Sequence, residues 1–156
     1  MTGGPAVRPV WVTCVVSCLA AAVAVEAYGL VFRFAGVPMR AAGIGEPKAS
    51  TIYPGMFAMG VFVAAFWGTL ITLVIARYAA SPARIYLLVI VPVAVLSLIA
   101  PAASPDTPTA TKVMLCGGHV LAAAIIIPAV HRGLSRKTTK PHEISATPDA
   151  GVSLRE

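Results

Sequence analysis

The sequence contains few charged residues for its length. Asp, Glu, Lys and Arg make up only 12% of its 156 residues, whereas a soluble domain has roughly 25%. Apolar residues make up 58%, and the mean hydropathy is +0.84. The few polar residues cannot cover the surface of a soluble core. We therefore expect the lipid bilayer to be the solvent and partner of this chain. The length allows four spans and short loops, but no separate soluble catalytic domain.

Aromatic residues and cysteines are also scarce. The net charge of +6 comes from basic residues that lie between and after the apolar stretches, not among stacking aromatics, so it indicates membrane orientation and not nucleic-acid binding. Cys14, Cys18 and Cys116 all lie inside apolar stretches, without the C-x-x-C spacing of a redox pair or the pattern of a disulfide framework. Ser97 lacks a G-x-S-x-G setting. We therefore expect no enzyme activity and no cofactor.

Four apolar stretches approach the length of about 20 residues that a helix needs to cross a hydrocarbon core of about 30 Å. They cover residues 10–32, 53–76, 85–100 and 113–130. A spanning strand would need only about ten residues with alternating polarity. The predicted fold is therefore all-α: a four-helix transmembrane bundle in residues 1–133 and a disordered basic cytoplasmic tail in 134–156. The first stretch is longer than a signal-peptide core of about 7–15 residues, so we expect it to be retained.

The distribution of Lys and Arg predicts the orientation. Eight lie on the side of the termini and the second loop: Arg8, Arg77, Arg84, Arg132, Arg136, Lys137, Lys140 and Arg155. Four lie on the other side: Arg33, Arg40, Lys48 and Lys112. The positive-inside rule then places both termini in the cytoplasm of a multi-pass plasma-membrane protein. The two outer loops, 33–52 and 101–111, are rich in Gly or Pro, and we expect the first to be irregular.

Small residues form a seam on the second span. Gly60, Ala64, Gly68 and Thr72 recur every four residues, so they stay near one face of the helix. Transmembrane helices associate through such faces because small side chains let the backbones approach closely. We expect this seam to contact another helix, within the bundle or in a second subunit. A homo-oligomer or a membrane-complex partner would follow from the second alternative.

Glu26 is the most informative polar residue within the spans. Ionisable side chains at a helix centre cost ~2.5–3.5 kcal/mol on insertion scales and usually face the bundle interior. At about 100° per residue, Glu26 shares a face with Cys18, Ala22, Gly29 and Arg33. Small residues surround the carboxyl on this face. We therefore expect protein to cover it.

His119 is the predicted partner of Glu26. Counted from the outer ends of their spans, both lie about six residues down, roughly 9 Å at 1.5 Å per residue. Ser97 lies near the same level, and Lys112 shares a helix face with His119. One hypothesis is a coupled proton or ligand site open to the outside, because a carboxylate beside an imidazole can titrate near neutral pH. The other is a structural hydrogen bond or ion pair. Two ligands are too few for zinc, so no metal is expected.

Two resemblances follow from these residues. The run from Leu96 to Pro101, followed by a short loop, His119, Pro128 and the basic pair His131-Arg132, resembles an uncharacterised actinobacterial family of small four-helix membrane proteins. That resemblance covers most of residues 8–133 and implies a compact bundle with no known active site. Glu26 in the first of four helices is similar to the glutamate of the small multidrug resistance transporters, which binds protons and cationic drugs. The extended first outer loop departs from that pattern.

Two functions are compatible with these features. The first is an accessory or interaction subunit without enzyme activity, packed through its small-residue seams. The alternative is a small proton-coupled transporter that uses Glu26 with His119. The sequence distinguishes them by one structural expectation: a transporter needs a polar cavity that reaches Glu26, whereas a scaffold should have that carboxyl capped by His119 or Arg33.

Overall fold

The computed structural model describes residues 9–43 and 45–138, with side chains to residue 135. Within these residues it contains five α-helices and one two-stranded sheet. They are α1 Val10–Phe34, β1 Arg40–Ala41, β2 Ser50–Thr51, α2 Met56–Tyr78, α3 Pro82–Leu96, α4 Ile99–Ala103 and α5 Thr109–Thr138. Four segments of this described chain are long and apolar enough to span a membrane: α1, α2, α3 together with α4, and α5 as far as Ser135. The prediction of an all-helical protein with four candidate spans is confirmed.

The third predicted span is divided into two helices. α3 ends at Leu96, and Ser97 donates its hydroxyl to the Ala94 carbonyl at 2.7 Å. Pro101, inside α4, has no N–H with which to bond the carbonyl four residues earlier, at Ser97. Together these features interrupt the helix at Ser97 and Leu98. The break was not predicted, because the apolar pattern runs through it without a change.

The fourth predicted span is longer at both ends in the structure. α5 begins at Thr109, four residues before the predicted boundary, and continues to Thr138. The prediction of a disordered tail is wrong for residues 134–138, which belong to α5. Leu134 shows the reason, since it is fully buried in a cluster with Val10 and Val130. The rest of the predicted tail, 139–156, lies outside the described residues.

α1 is the most covered helix of the bundle. Of its most apolar stretch, 39% is buried within the chain, against 6% for α2. Its buried residues recur every three or four positions: Val10, Cys14, Ser17, Cys18, Ala21, Ala22, Val25 and Gly29. That spacing forms one continuous helix face. α2 and α5 pack against it, and α3 packs against α5.

Two glycines of the bundle allow close contacts with aromatic side chains. A Cβ atom at Gly29 would lie 2.6 Å from the Phe57 ring of α2. A Cβ atom at Gly117 of α5 would overlap the hydroxyl of Tyr28. Both positions therefore fix how closely α1 approaches its neighbours, because a larger side chain would displace an aromatic ring.

The end of the bundle that carries the two predicted outer loops is called the hairpin end here, and the opposite end is called the termini end. At the hairpin end, β1 and β2 pair antiparallel, with Arg40 opposite Thr51. The expectation of an irregular first loop is thus wrong at these strands. Met39 and Ile52, which flank them, pack with Met114 in a buried cluster, which explains why this short ladder forms.

The two loops of the hairpin end are joined by hydrogen bonds. The Ala42 N–H donates to Thr107 Oγ1 at 3.0 Å, and Ser104 Oγ donates to the Ala42 carbonyl at 2.8 Å. The Ala49 N–H donates to Asp106 Oδ2 at 3.0 Å. Asp106 itself has a φ of 49°, a conformation that Asp tolerates better than most residues. The loops therefore form one ordered cap.

Candidate functional site: a groove between α2 and α3

A cavity of about 480 Å³ separates α2 from α3. The two helices meet at the termini end, where Ile75 and Tyr86 share a cluster with Cys14. Towards the hairpin end the space between them forms a groove, whose floor consists of residues from α5 and α1. Most of the lining is aliphatic. Its polar residues include Ser97 and His119 towards the hairpin end.

The predicted small-residue seam lines this groove. Gly60, Ala64, Gly68 and Thr72 are all part of its wall. In the described chain, apart from the chain neighbours and the nearby backbone of α2 itself, no heavy atom lies within 4 Å of where a Cβ would stand at Gly60 or Gly68. Only Thr72 is deeply buried, and its hydroxyl donates to the Gly68 carbonyl at 2.7 Å. Most of the seam therefore opens onto the groove instead of packing against a helix of this chain.

Ser97 and His119 form a hydrogen-bonded pair in the groove. Their Oγ and Nδ1 atoms are 3.2 Å apart. The hydroxyl of Ser97 donates its single proton to the Ala94 carbonyl in the shorter bond, at 2.7 Å, and on this basis we assign Ser97 Oγ as the acceptor and His119 Nδ1–H as the donor. In neutral His119 the other ring nitrogen, Nε2, then carries a lone pair and is a hydrogen-bond acceptor. The break between α3 and α4 positions this serine.

Glu26 has different partners. One carboxylate oxygen accepts from the Gly55 N–H at 2.6 Å, and the other accepts from the Ala58 N–H at 3.1 Å. Both donors belong to the first turn of α2, whose N–H groups have no partner within the helix. The carboxylate also faces the positive end of the helix dipole. Glu26 thus caps α2 from a neighbouring helix.

The chain around Gly55 explains why a distant carboxylate is needed. Gly55 is the N-cap residue of α2 with φ at 92°, a left-handed conformation that glycine adopts without strain. A Ser, Thr, Asp or Asn in this position would normally supply the capping oxygen. Neither Gly55 nor the two residues before it, Tyr53 and Pro54, is one of these residue types. This missing local cap is the feature of the sequence that indicates a capping role for Glu26.

The predicted pairing of Glu26 with His119 is therefore not what the structure has. The predicted depths do agree, since a Cβ at Gly118 would lie 3.6 Å from Val25 and so places the two segments at one level. Glu26, however, points to α2, and His119 points to Ser97. Depth follows from counting residues along a helix, whereas the direction around the helix depends on packing that the count does not contain.

Arg33 and Lys112 lie outside the Ser97–His119 pair. Arg33 donates from Nη2 to the Ile52 carbonyl at 2.6 Å and so ties the end of α1 to the segment before α2. Lys112 lies in the first turn of α5, where its N–H donates to the Pro108 carbonyl. Seven residues separate Lys112 from His119, about 10 Å along the helix. Neither Arg33 nor His119 bonds the carboxylate of Glu26. The carboxylate is capped as expected, but its donors are backbone N–H groups of α2 and not these side chains.

Comparison with known proteins identifies a family and leaves its activity open. No curated protein and no solved structure matches the chain. A model of a family of unknown function, DUF6069, matches residues 5–136. The match covers all four candidate spans and both loops of the hairpin end. The chain belongs to this family of unknown function, DUF6069.

Proposed function

We propose that this protein is a membrane-embedded interaction subunit without enzyme activity, and that the groove between α2 and α3 is its binding element. The observation that carries the proposal is the open space at Gly60 and Gly68. In lipid, small residues stabilise a bundle by letting backbones approach. Here the small-residue seam faces a groove of about 480 Å³, which leaves it available to an occupant from the bilayer.

The proton-coupled transporter is the weaker candidate. Both oxygens of Glu26 accept hydrogen bonds from backbone N–H groups of α2. The groove lining, over the described residues, includes the adjacent Val25 but not Glu26. A carboxylate that binds protons and cargo in turn would have to release the first turn of α2 in each cycle. This arrangement favours a structural role for Glu26.

The proposal includes a location and an orientation. We place the protein in the plasma membrane with both termini in the cytoplasm, on the excess of Lys and Arg at the termini end. The hairpin end then faces outwards. The partner is another subunit or a lipid, with a homo-oligomer as one form, and nucleic acid plays no part. The actinobacterial origin that the sequence resemblance implies belongs to the same proposal.

Photo-crosslinking in native membranes tests whether the groove has a specific occupant. A photoreactive phenylalanine analogue would replace Ala64 in the groove or Phe66 on the exposed side of α2. These positions differ by about 200° around the helix, and Phe66 is 60% exposed in the chain. We expect one discrete adduct, a protein or a lipid of single mass, from position 64 and a mixture of bulk lipid from position 66. The same mixture at both positions would contradict the proposed function.

A further inference from the structure

We propose that the occupant of the groove is a single-chain lipid whose head group is an O–H donor, a long-chain alcohol or a protonated fatty acid, bound with its head on His119. This inference rests on the proposed function, because it names the ligand class of the same groove. Three features of the described residues support it. They are the unused acceptor on His119, the length of the apolar groove between His119 and the termini end, and the size of the cavity.

The head-group assignment follows from the Ser97–His119 pair. Ser97 accepts from Nδ1–H, so neutral His119 presents a lone pair on Nε2. Among the residues that the structure describes, no group donates to Nε2, although His119 lies within the span of α5. Water is scarce at this depth, and a polar atom without a partner in hydrocarbon is costly. A ligand that donates a hydrogen bond removes that cost, whereas an ester or an alkane does not.

The groove below His119 fits one acyl chain. From Ser97 to Tyr86 is eleven residues of α3, about 16 Å at 1.5 Å per residue. This equals about half of a hydrocarbon core of about 30 Å, which is the depth of one leaflet. Gly60, Ala64 and Gly68 line the path and leave room for the chain. Tyr86 is only 1% exposed and lies at the termini end of the path.

The size of the cavity fits a small ligand. The cavity holds about 480 Å³, within the range of about 300–1,000 Å³ that is typical of small-molecule sites. Such sites are mainly apolar and contain a few polar groups that orient the ligand. The Ser97–His119 pair in an aliphatic groove has this composition.

The experiment uses the full chain in nanodiscs and three probes that carry the same photoreactive group in the chain. They are a C16 fatty acid, the matching alcohol and the matching methyl ester, which has no donor. We expect saturable labelling by the acid and the alcohol, mapped to α2, α3 or α5 at the groove. The ester should label about two- to tenfold more weakly, as expected for one lost hydrogen bond. Comparison of labelling by the acid and by the alcohol shows which of the two head groups supplies the O–H donor.

Variants separate recognition from folding. His119→Leu should label equally with all three probes, while His119→Gln, which keeps an acceptor oxygen, should retain the preference for a donor. Gly60→Leu fills the groove and should lower labelling by acid and alcohol several-fold. Ala20→Leu makes a small-to-large change on an exposed part of α1, away from the groove, and should leave labelling unchanged.

Two results would overturn the inference. Equal labelling of the wild-type protein by ester and acid would show adventitious filling by bulk chains. A discrete protein adduct at position 64 in native membranes, without saturable lipid labelling, would identify the occupant as a helix. The second result would leave the proposed interaction role standing, so failure of the ligand assignment differs from failure of the function.

Discussion

The two sides of the bundle use glycine in opposite ways. Where α1 packs against α2 and α5, Gly29 and Gly117 lie against aromatic side chains, and a Cβ atom at either position would meet one of them. Between α2 and α3, Gly60 and Gly68 face open space. One pair of glycines holds the helices together, and the other leaves a groove between them. A small-residue pattern therefore shows where another group can approach the helix backbone, but it does not show whether that group is a helix, a side chain or a ligand.

The largest expected effect is at Gly29. Gly29→Leu places a side chain where the Phe57 ring of α2 lies. Overpacking of this kind costs about 1–3 kcal/mol, and we expect the upper end because the α1 face around Gly29 is buried. The measurement is the free energy of unfolding by SDS titration in mixed micelles.

The same change at Gly60 is the matched control for Gly29. Gly60→Leu should change the unfolding free energy by less than about 1 kcal/mol, because the added side chain enters the groove and displaces no packed residue. Equal losses in the two variants would contradict the contrast between the packed side and the open side.

The second expected effect is at Glu26, which lies on the packed side. Glu26→Ala removes the acceptor for two N–H groups of α2, and hydrogen bonds to a charged group contribute about 1.5–3 kcal/mol each. We expect a loss of about 2 kcal/mol, after partial replacement by water at the helix end. Amide hydrogen exchange should accelerate most in the first turn of α2.

Glu26→Gln is the matched variant, because it keeps one acceptor oxygen and should lose less stability than the alanine variant. A transporter role predicts a different pattern: both variants would keep normal stability and lose proton-coupled uptake in proteoliposomes. That outcome would favour the transporter alternative.

The part of the fold that was predictable from sequence depends on one-dimensional patterns. Helix number and span length follow from hydropathy, because a bilayer imposes a fixed thickness. The buried face of α1 follows from helix periodicity, and Cys18, Ala22 and Gly29 on it are buried. The ladder between β1 and β2 was not predictable in this way, because each strand is two residues long and contacts with Met114 hold the segment in place.

The polar residues show the same limit. Counting from the helix ends placed Glu26, Ser97 and His119 at similar depth, and Ser97 and His119 do form a hydrogen bond. The partner of Glu26 was missed because its two donors are backbone atoms of another helix. Side-chain patterns do not reveal such donors. Only the missing local cap at Gly55 indicates them.

The third expected effect concerns the cap at the hairpin end. Thr107→Val removes the hydroxyl that accepts from the Ala42 N–H at 3.0 Å and bonds Ser104 Oγ at 2.7 Å. Loss of this buried group should cost about 1 kcal/mol. Hydrogen exchange should rise in residues 39–52 while the four spans stay protected. Thr51→Val, an exposed position in β2, is the control and should change neither quantity.

The smallest expected effect is at Gly60, and it sharpens the comparison between the two kinds of glycine. Glycine within a helix costs roughly 0.5–1 kcal/mol relative to alanine, and Gly60 has free space for one methyl group. Gly60→Ala should therefore leave stability unchanged or raise it by about 0.5 kcal/mol, as measured by SDS titration. Gly117→Ala, which places the same methyl group against the Tyr28 hydroxyl, should lower it. A loss of similar size in Gly60→Ala would mean that the groove closes on this face in the membrane and that its open space is not available to a ligand.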